Sequence, residues 1–416
     1  MQSVSTAAPA IQPPLAFEGG AFPGTGDCPG QQSLARVAEE FVIEIATQLA
    51  DDPAFCLLWT ALVTAGPSTH KIYQTPAYFQ FRRDSCGSRE MFEIVTVRHR
   101  ADGTLVGIVP VRIGFEEVVF GASKYSLYST EIEMVSLLGS MAAVPAGAAM
   151  AQYLVRELLT LFPKTQAVTM QALPRHSEQW AALTARHAQG RLFGTALMGP
   201  WRGCHTLPLP DTFAQYMEKF SAKKRYNLNR QIRQLREQAG ELDFLRIERP
   251  QQVPQLMVML RSLLSQEQLG HLMRETTYTA LARKGLLLAY VLRSGEETLA
   301  VVMATLSPDV VHVHNIFVTP KYQALSVGTS VMHLSIQDVL TGGGYRLIDF
   351  GYGTPNEEFR SSHVIEERAQ VLVFDRTRAV SLLFAVHSLF TRAVESAIAG
   401  VKKVRKSWRK GRAGKL

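Results

Sequence analysis

The chain is 416 residues long, enough for two domains of ordinary size. With 46% hydrophobic and 19% charged residues it can build real cores, which excludes a disordered or fibrous protein. The formal charge of +8 is concentrated at one end: Lys402, Lys403, Arg405, Lys406, Arg409, Lys410, Arg412 and Lys415 lie in the last fifteen residues, with no acid among them. Taking those eight from the 44 Lys and Arg leaves 36, equal to the 36 Asp and Glu, so the body is neutral and does not imply nucleic-acid binding. Cys28, Cys56, Cys86 and Cys204 are scattered without a C-x-x-C pair, which predicts reduced thiols and a cytoplasmic setting. No secretory signal pattern is evident, and no stretch of about 18 clean apolar residues predicts a spanning helix.

Residues 1–32, rich in Pro, Gly, Ser, Ala and Gln, read as a disordered leader. Residues 33–48 and 54–66 carry apolar residues at helical spacing, the second stopped by Gly66-Pro67. From Met91 the period becomes two. MFEIVTVRHR reads as a strand, Ala101-Asp102-Gly103 as a turn, and residues 104–115 as the returning strand. Further strands are expected at 116–120 and 131–139, a helix at 147–162 ending before Pro163, and a buried strand at 167–173. This is half of an α+β sheet domain.

The second half repeats the order. Short and basic helices are expected at 211–219 and 221–239, the latter ended by Gly240, then a strand at 242–248 and a helix at 251–269. A three-stranded meander follows (286–293, 298–307, 310–318), then a helix at 329–340 and strands at 345–353 and 364–374. Residues 377–408 read as one amphipathic helix running into the basic tail. The fold class is therefore α/β (α+β): a leader (1–32), an N-terminal unit (33–205), a C-terminal unit (206–376) and a helix with a tail (377–416).

The most informative unit is HVHNIFV leading through a loop to Gly328 and a helix. A helix starting there offers free backbone N–H groups and the positive end of its dipole, and Gly328 lets a phosphate approach the backbone closely. Taken with Tyr73-Gln74-Thr75-Pro76-Ala77-Tyr78, residues 105–111, Leu138-Gly139, the basic stretch 223–230, Ser326-Val327-Gly328 and the stretch 344–353, the sequence resembles a family. It is similar, over roughly residues 35–400, to the GNAT-like acetyltransferases associated with cellulose biosynthesis (CelD/BcsL-type), which are related to the Fem-type aminoacyl transferases.

The resemblance implies tandem GNAT domains with mixed, mostly antiparallel sheets, the N-terminal one lacking a cofactor site. It implies acetyl-CoA or another acyl-CoA as co-substrate, bound by Phe317, Val318, Ser326, Val327, Gly328, Thr329 and Ser330. The family's phosphate loop, Q/R-x-x-G-x-G/A, stands here as Leu325-Ser326-Val327-Gly328-Thr329-Ser330, without the leading amide or cation.

In such a reaction an amine attacks a thioester carbonyl. The protein must hold the reactants together, polarise the carbonyl with a backbone N–H near Phe317 or Val318, and move protons. Asp349, at a strand end where two strands should splay, is the first choice of base; its other role is to cap the turn at Gly351. His314 is a second base, or a satisfied strand histidine, and Tyr352 an acid, or a residue stacked on the sheet. His312 and His314 share a strand face, but no third ligand is in view, so no metal is expected. Lys224, Arg225 and Arg230 of the basic helix are candidates for binding an anionic substrate, or form a solvated face around Leu228, Ile232 and Leu235. The expected acceptor is an amine or hydroxyl on a sugar, a polysaccharide precursor or a small metabolite. Fem-like aminoacyl transfer from a charged tRNA and a non-catalytic scaffold in envelope polysaccharide synthesis are the alternatives. The basic tail suits weak contact with an anionic membrane surface at the inner face, or a solubilising or RNA-touching role.

Overall fold

A computed structural model describes residues 34–396 apart from 67–70, 123–124, 140, 142, 146, 186–192, 353–363, 377–378, 392 and 395. The leader expected at 1–32 and most of the tail lie outside the described residues.

Thirteen strands form one sheet. In chain order they are β1 (Phe41–Ile45), β2 (Met91–His99), β3 (Leu105–Ala122), β4 (Tyr125–Leu137), β5 (Ala167–Pro174), β6 (Phe193–Leu197) and β7 (Arg202–Pro208). They continue with β8 (Asp243–Ile247), β9 (Leu287–Ser294), β10 (Glu297–Leu306), β11 (Val310–Val318), β12 (Leu347–Tyr352) and β13 (Val364–Asp375). Their spatial order is β1-β2-β3-β4-β5-β13-β7-β12-β11-β10-β9-β8, with β6 also on β13. Two pairs are parallel, β4 with β5 and β11 with β12, and each is joined through a helix, Ala148–Leu161 and Val327–Gly342.

The last strand sits in the middle. One edge of β13 pairs with β5 in the N-terminal half; its other edge pairs with β7 over Val364–Arg368 and with β6 over Val371–Asp375. In turn β7 pairs with β12 of the C-terminal half. The boundary expected at 205/206 thus falls inside β7, because a strand from each half completes the ladder between them.

Helices cover both faces of the sheet. On one face, Ala148–Leu161 covers the N-terminal strands, and Val327–Gly342 covers the C-terminal strands together with Phe213–Glu218 and Ala222–Ala239. On the other, Pro53–Ala65 and Pro76–Asp84 close the N-terminal core, while Val253–Leu263 and Glu275–Arg283 close the C-terminal one. The segment 71–84 belongs to both halves. Tyr73 packs against both cores, Ile72 and Phe81 are buried in the C-terminal one, and the buried Lys71 ammonium bonds the Thr64 carbonyl at 2.5 Å and Asp309 at 3.3 Å.

Several expected elements differ. The helix expected at 33–48 ends at Glu40, and Phe41–Ile45 becomes a strand, because this aromatic and β-branched run pairs with the free edge of β2 (Phe41↔His99 to Ile45↔Val95). Residues 116–120 continue β3, which pairs with β4 as one long hairpin. The helix expected at 251–269 breaks before Ser265, whose capping box with Gln268 starts a new short helix. The helices Pro76–Asp84 and Glu178–Thr184 and the strands β6 and β7 are additional. Within 377–408, helical backbone is described over 380–391.

Candidate active site

The sheet opens between β11 and β12. Their ladder covers Val310↔Leu347, Val311↔Ile348 and His312↔Asp349, and then stops. Beyond it, β11 runs on to Val318 along β10, and β12 runs on to Tyr352 along β7. Backbone groups of 313–318 that face β12 are therefore not claimed by that ladder, the condition for receiving a substrate carbonyl. Each side of the wedge carries an irregularity. The β10/β11 register slips beside Met303 and Ala304, leaving His314 as the extra residue, and the β12/β7 register slips between Asp349 and Tyr352, where Gly351 adopts φ 63°. Of the residues expected to polarise a carbonyl, Phe317 faces the core that includes Tyr73 and Tyr78, and Val318 faces the helix Val327–Gly342.

The helix start touches the strand end. A Cβ on Gly328 would lie 3.2 Å from the Val318 Cγ1, so only glycine fits there without displacement. Ser326 takes the left-handed conformation (φ 57°, ψ 41°) and caps the helix without a side-chain bond. Its carbonyl already accepts the Ser330 amide at 3.0 Å. The amides of Val327 and Gly328 belong to the first turn and have no intrahelical acceptor. Thr329 and Ser330 turn inward and are buried, and the Ser330 hydroxyl finds no partner among the described residues.

The basic helix Ala222–Ala239 lies alongside. Leu228 and Leu235 anchor it on the core beneath Val327–Gly342, and it also packs against the turn Pro320–Leu325 before Ser326. Ser221 caps its start by accepting the Lys224 amide, and Arg225 donates to the Phe220 carbonyl at 2.6 Å. Arg230 is exposed, as are Lys223, Arg233 and Arg236, and no acid pairs with these four among the described residues.

Asp349 is buried. Its Oδ1 accepts the Gly351 amide at 2.7 Å, and its Oδ2 accepts from Arg368 Nη1 at 3.2 Å, with His312 Nδ1 at 3.8 Å. Arg368, equally buried, also donates to Glu366 at 2.6 Å. The base expected at Asp349 thus sits under a guanidinium and caps the Gly351 turn. Burial pushes His312 down to about 3, and its Nε2 meets the Ser307 hydroxyl at 3.3 Å. His314 is exposed to the wedge, with Nε2 2.7 Å from the Thr305 hydroxyl; its crowded surroundings lower its pKa, against the pull of Asp349. Both histidines are neutral at pH 7. Tyr352, 38% exposed, lies under the Arg202 guanidinium at 4.0 Å, and burial of its ring together with Cys204 pushes its hydroxyl up to about 12. It therefore keeps its proton. Burial raises the Cys204 thiol to about 12 as well, which leaves it unreactive. Among the described residues no group of three His, Cys, Asp or Glu is placed to hold a metal.

A small open cavity of about 130 Å³ lies in the N-terminal half. Tyr73, Tyr78, Arg82, Arg112, Ser136 and Gln171 line it, with Glu116 and Leu138. Burial raises the Tyr73 hydroxyl, and Tyr73 and Tyr78 pack in the same apolar cluster as Phe317 of β11. The Tyr73 and Tyr78 rings meet edge-on at 4.9 Å. Arg112 is held by Glu90 at 2.5 Å, by Glu116 and by the Ser136 hydroxyl. None of these side chains was singled out as a site from sequence; the stretch 73–78 carried a signal only as part of the resemblance.

Residues 222–361 match the model of the acetyltransferase (GNAT) domain, a span that contains the basic helix, the wedge and the helix start. The chain carries a GNAT-type acyltransferase domain. The fold over 80% of the chain agrees. FemX shares it at 10% identity, over 80% of this chain and 98% of that one, with a TM-score of 0.55. A conserved protein of unknown function from Bacteroides thetaiotaomicron shares it at 9% identity, over 80% of this chain and 100% of that one, with a TM-score of 0.50. No curated protein matches the sequence.

Proposed function

We propose that the protein transfers an acyl group, acetyl first, from CoA to an amine or hydroxyl on a sugar, a polysaccharide precursor or a small amine. The observation that carries this reading is the wedge: the ladder ends at His312↔Asp349, and β11 continues beside it to a glycine-bearing helix start. The acyl-pantetheine arm would enter the wedge, with its pyrophosphate on the amides of Val327 and Gly328 and the basic helix nearby. The acceptor would occupy the tyrosine-lined cavity. His314, neutral and exposed, takes the role of base, and Tyr352, protonated and at the wedge mouth, that of acid for the leaving thiolate. Asp349 holds Arg368 and the Gly351 turn in place.

Thermal-shift titration with acetyl-CoA, longer acyl-CoAs and free CoA tests this. A ligand at about 100 times its Kd adds roughly 2.7 kcal/mol to the folded state. A rise in Tm that Gly328→Glu abolishes supports the site; no rise with any CoA in folded protein removes the reading. The unpaired cations of the helix Ala222–Ala239 favour one competitor, aminoacyl transfer from charged tRNA, for which aminoacyl-tRNA and not CoA would protect the protein.

A further inference from the structure

The long β3/β4 hairpin carries its own small core away from the active site. Val118 and Phe120 of β3, and Ile132 and Met134 of β4, pack against Val380 and Phe384 of the helix at 380–391, with Leu383 and Phe390 alongside. His387 crosses the hairpin at Phe120, ring to ring at 5.0 Å, and its Nε2 lies 3.1 Å from the Val119 carbonyl. One face of the helix is thereby used. The other faces solvent and is apolar: Leu382 is 71% exposed, Val386 48% and Leu389 66%, with Ala385 and Ala393 between and beyond them. Residues 379–391 contain no Asp, Glu, Lys or Arg. On the hairpin, Leu127 and Tyr128 are also exposed, the Tyr128 ring lying 5.8 Å from Phe120.

An apolar face of this kind on a surface helix needs an occupant. The sequence that follows supplies the argument for which one. Within about a dozen residues of the described helix the chain enters the run 402–415, with eight cations, no acid and Trp408. An apolar helical face followed by a cationic run with an indole matches an anionic lipid surface, where the face enters the acyl boundary and the cations meet the headgroups. No helix among the described residues is long and apolar enough to cross a membrane. We propose that the exposed face of the helix at 380–391 docks on an anionic bilayer surface, held there by the basic run 402–415. This inference is independent of the acyl-transfer reading.

Co-sedimentation of the full chain with phosphatidylcholine vesicles, with and without about a third phosphatidylglycerol, tests it at low and high salt. Two variants separate the terms, L382S/V386S/L389S and K402Q/K403Q/R405Q/K406Q. The proposal expects binding to the anionic vesicles, little to the neutral ones, weakening by salt, and a loss of about tenfold or more in each variant at unchanged Tm. Binding retained in the apolar-face variant overturns the docking face and leaves a tail effect alone. No binding of the parent protein overturns the whole proposal. So does a parent dimer, seen by light scattering, that the face variant splits without any effect on vesicles, since a second copy then covers the face.

Discussion

The two halves of the sheet use the same device, a parallel strand pair joined by a helix, with opposite results. In the N-terminal half, β4 and β5 stay paired from Met134↔Ala167 to Leu137↔Met170, and the Gln171 amide then bonds the Gly139 carbonyl at 3.2 Å. The pair is closed to its end. The helix that follows buries Ala149, Met150 and Ala151 in its first turn. In the C-terminal half the pair parts after three residues, beside a bulge at His314 and a glycine turn at Gly351, and the helix begins with a left-handed serine and a glycine. The lesson is that topology alone does not make the site. The N-terminal pair has irregularities of its own, with Gly139 at φ 83°, Ala172 at φ 53° and a slip in the β13/β5 register between Ala369 and Val371, yet its strands stay paired, so irregularity by itself does not open a pair.

The largest expected effect tests what holds the open pair in shape. Arg368→Ala leaves the Asp349 carboxylate buried without its cation, and should cost ~3–5 kcal/mol in denaturant unfolding. Adding Asp349→Asn should recover part of that loss. Equal stability in the single variant would show that the opening does not depend on the pair. Acid should separate the halves next. Burial holds His333, in the helix Val327–Gly342, down to about 4 against an ordinary 6.5. The unfolded chain therefore takes up a proton that the folded one refuses, so this contribution is complete above pH 6.5 and is lost as pH falls toward 4. A shift of that size corresponds to ~3 kcal/mol, and His333→Leu should flatten that part of the Tm–pH curve. A pH profile identical in the variant would remove His333 as its source.

Glutamate placed at equivalent helix starts should distinguish the halves by ligand binding. Gly328→Glu should abolish the protection given by acyl-CoA, roughly 2.7 kcal/mol at 100 times Kd, whereas Ala148→Glu should leave it intact. If both variants lose it, the closed half also takes part in binding. The smallest effect belongs to Tyr352→Phe, expected to lower kcat about tenfold, ~1.4 kcal/mol, with KM nearly unchanged, as for a group acting in the transition state. A change confined to KM would make Tyr352 a binding residue.

The sequence carries the order of elements plainly, because the period-two runs and the helix stops are local signals. The strands of the C-terminal meander, the Gly240 stop and the helix start near Gly328 all stand close to where the pattern puts them. What the pattern hides is non-local. Phe41–Ile45 looks helical until the edge of β2 is there to pair with it. Arg368 is one cation in a strand, and nothing nearby says that it meets Asp349, nineteen residues earlier. The cap of the Gly351 turn by Asp349 is legible as an alternative to a base, but its buried guanidinium partner is not. The tyrosines of 73–78 pack with Phe317 from the far half of the chain, so neither spacing nor period announces the cavity that they line.

The position of β13 bears on how the protein is made. Its partner β5 is complete some two hundred residues before β13 leaves the ribosome, for Val373 pairs with Val168 and Arg368 with Pro174. Until then β5 carries an open edge, the kind of template on which nascent chains stick to one another. β13, the last strand among the described residues, closes that edge and seats Arg368 on Asp349 in the same event. Synthesis of β13 thus completes this ladder and the Asp349–Arg368 pair together, and a chain that stops short of residue 364 has neither.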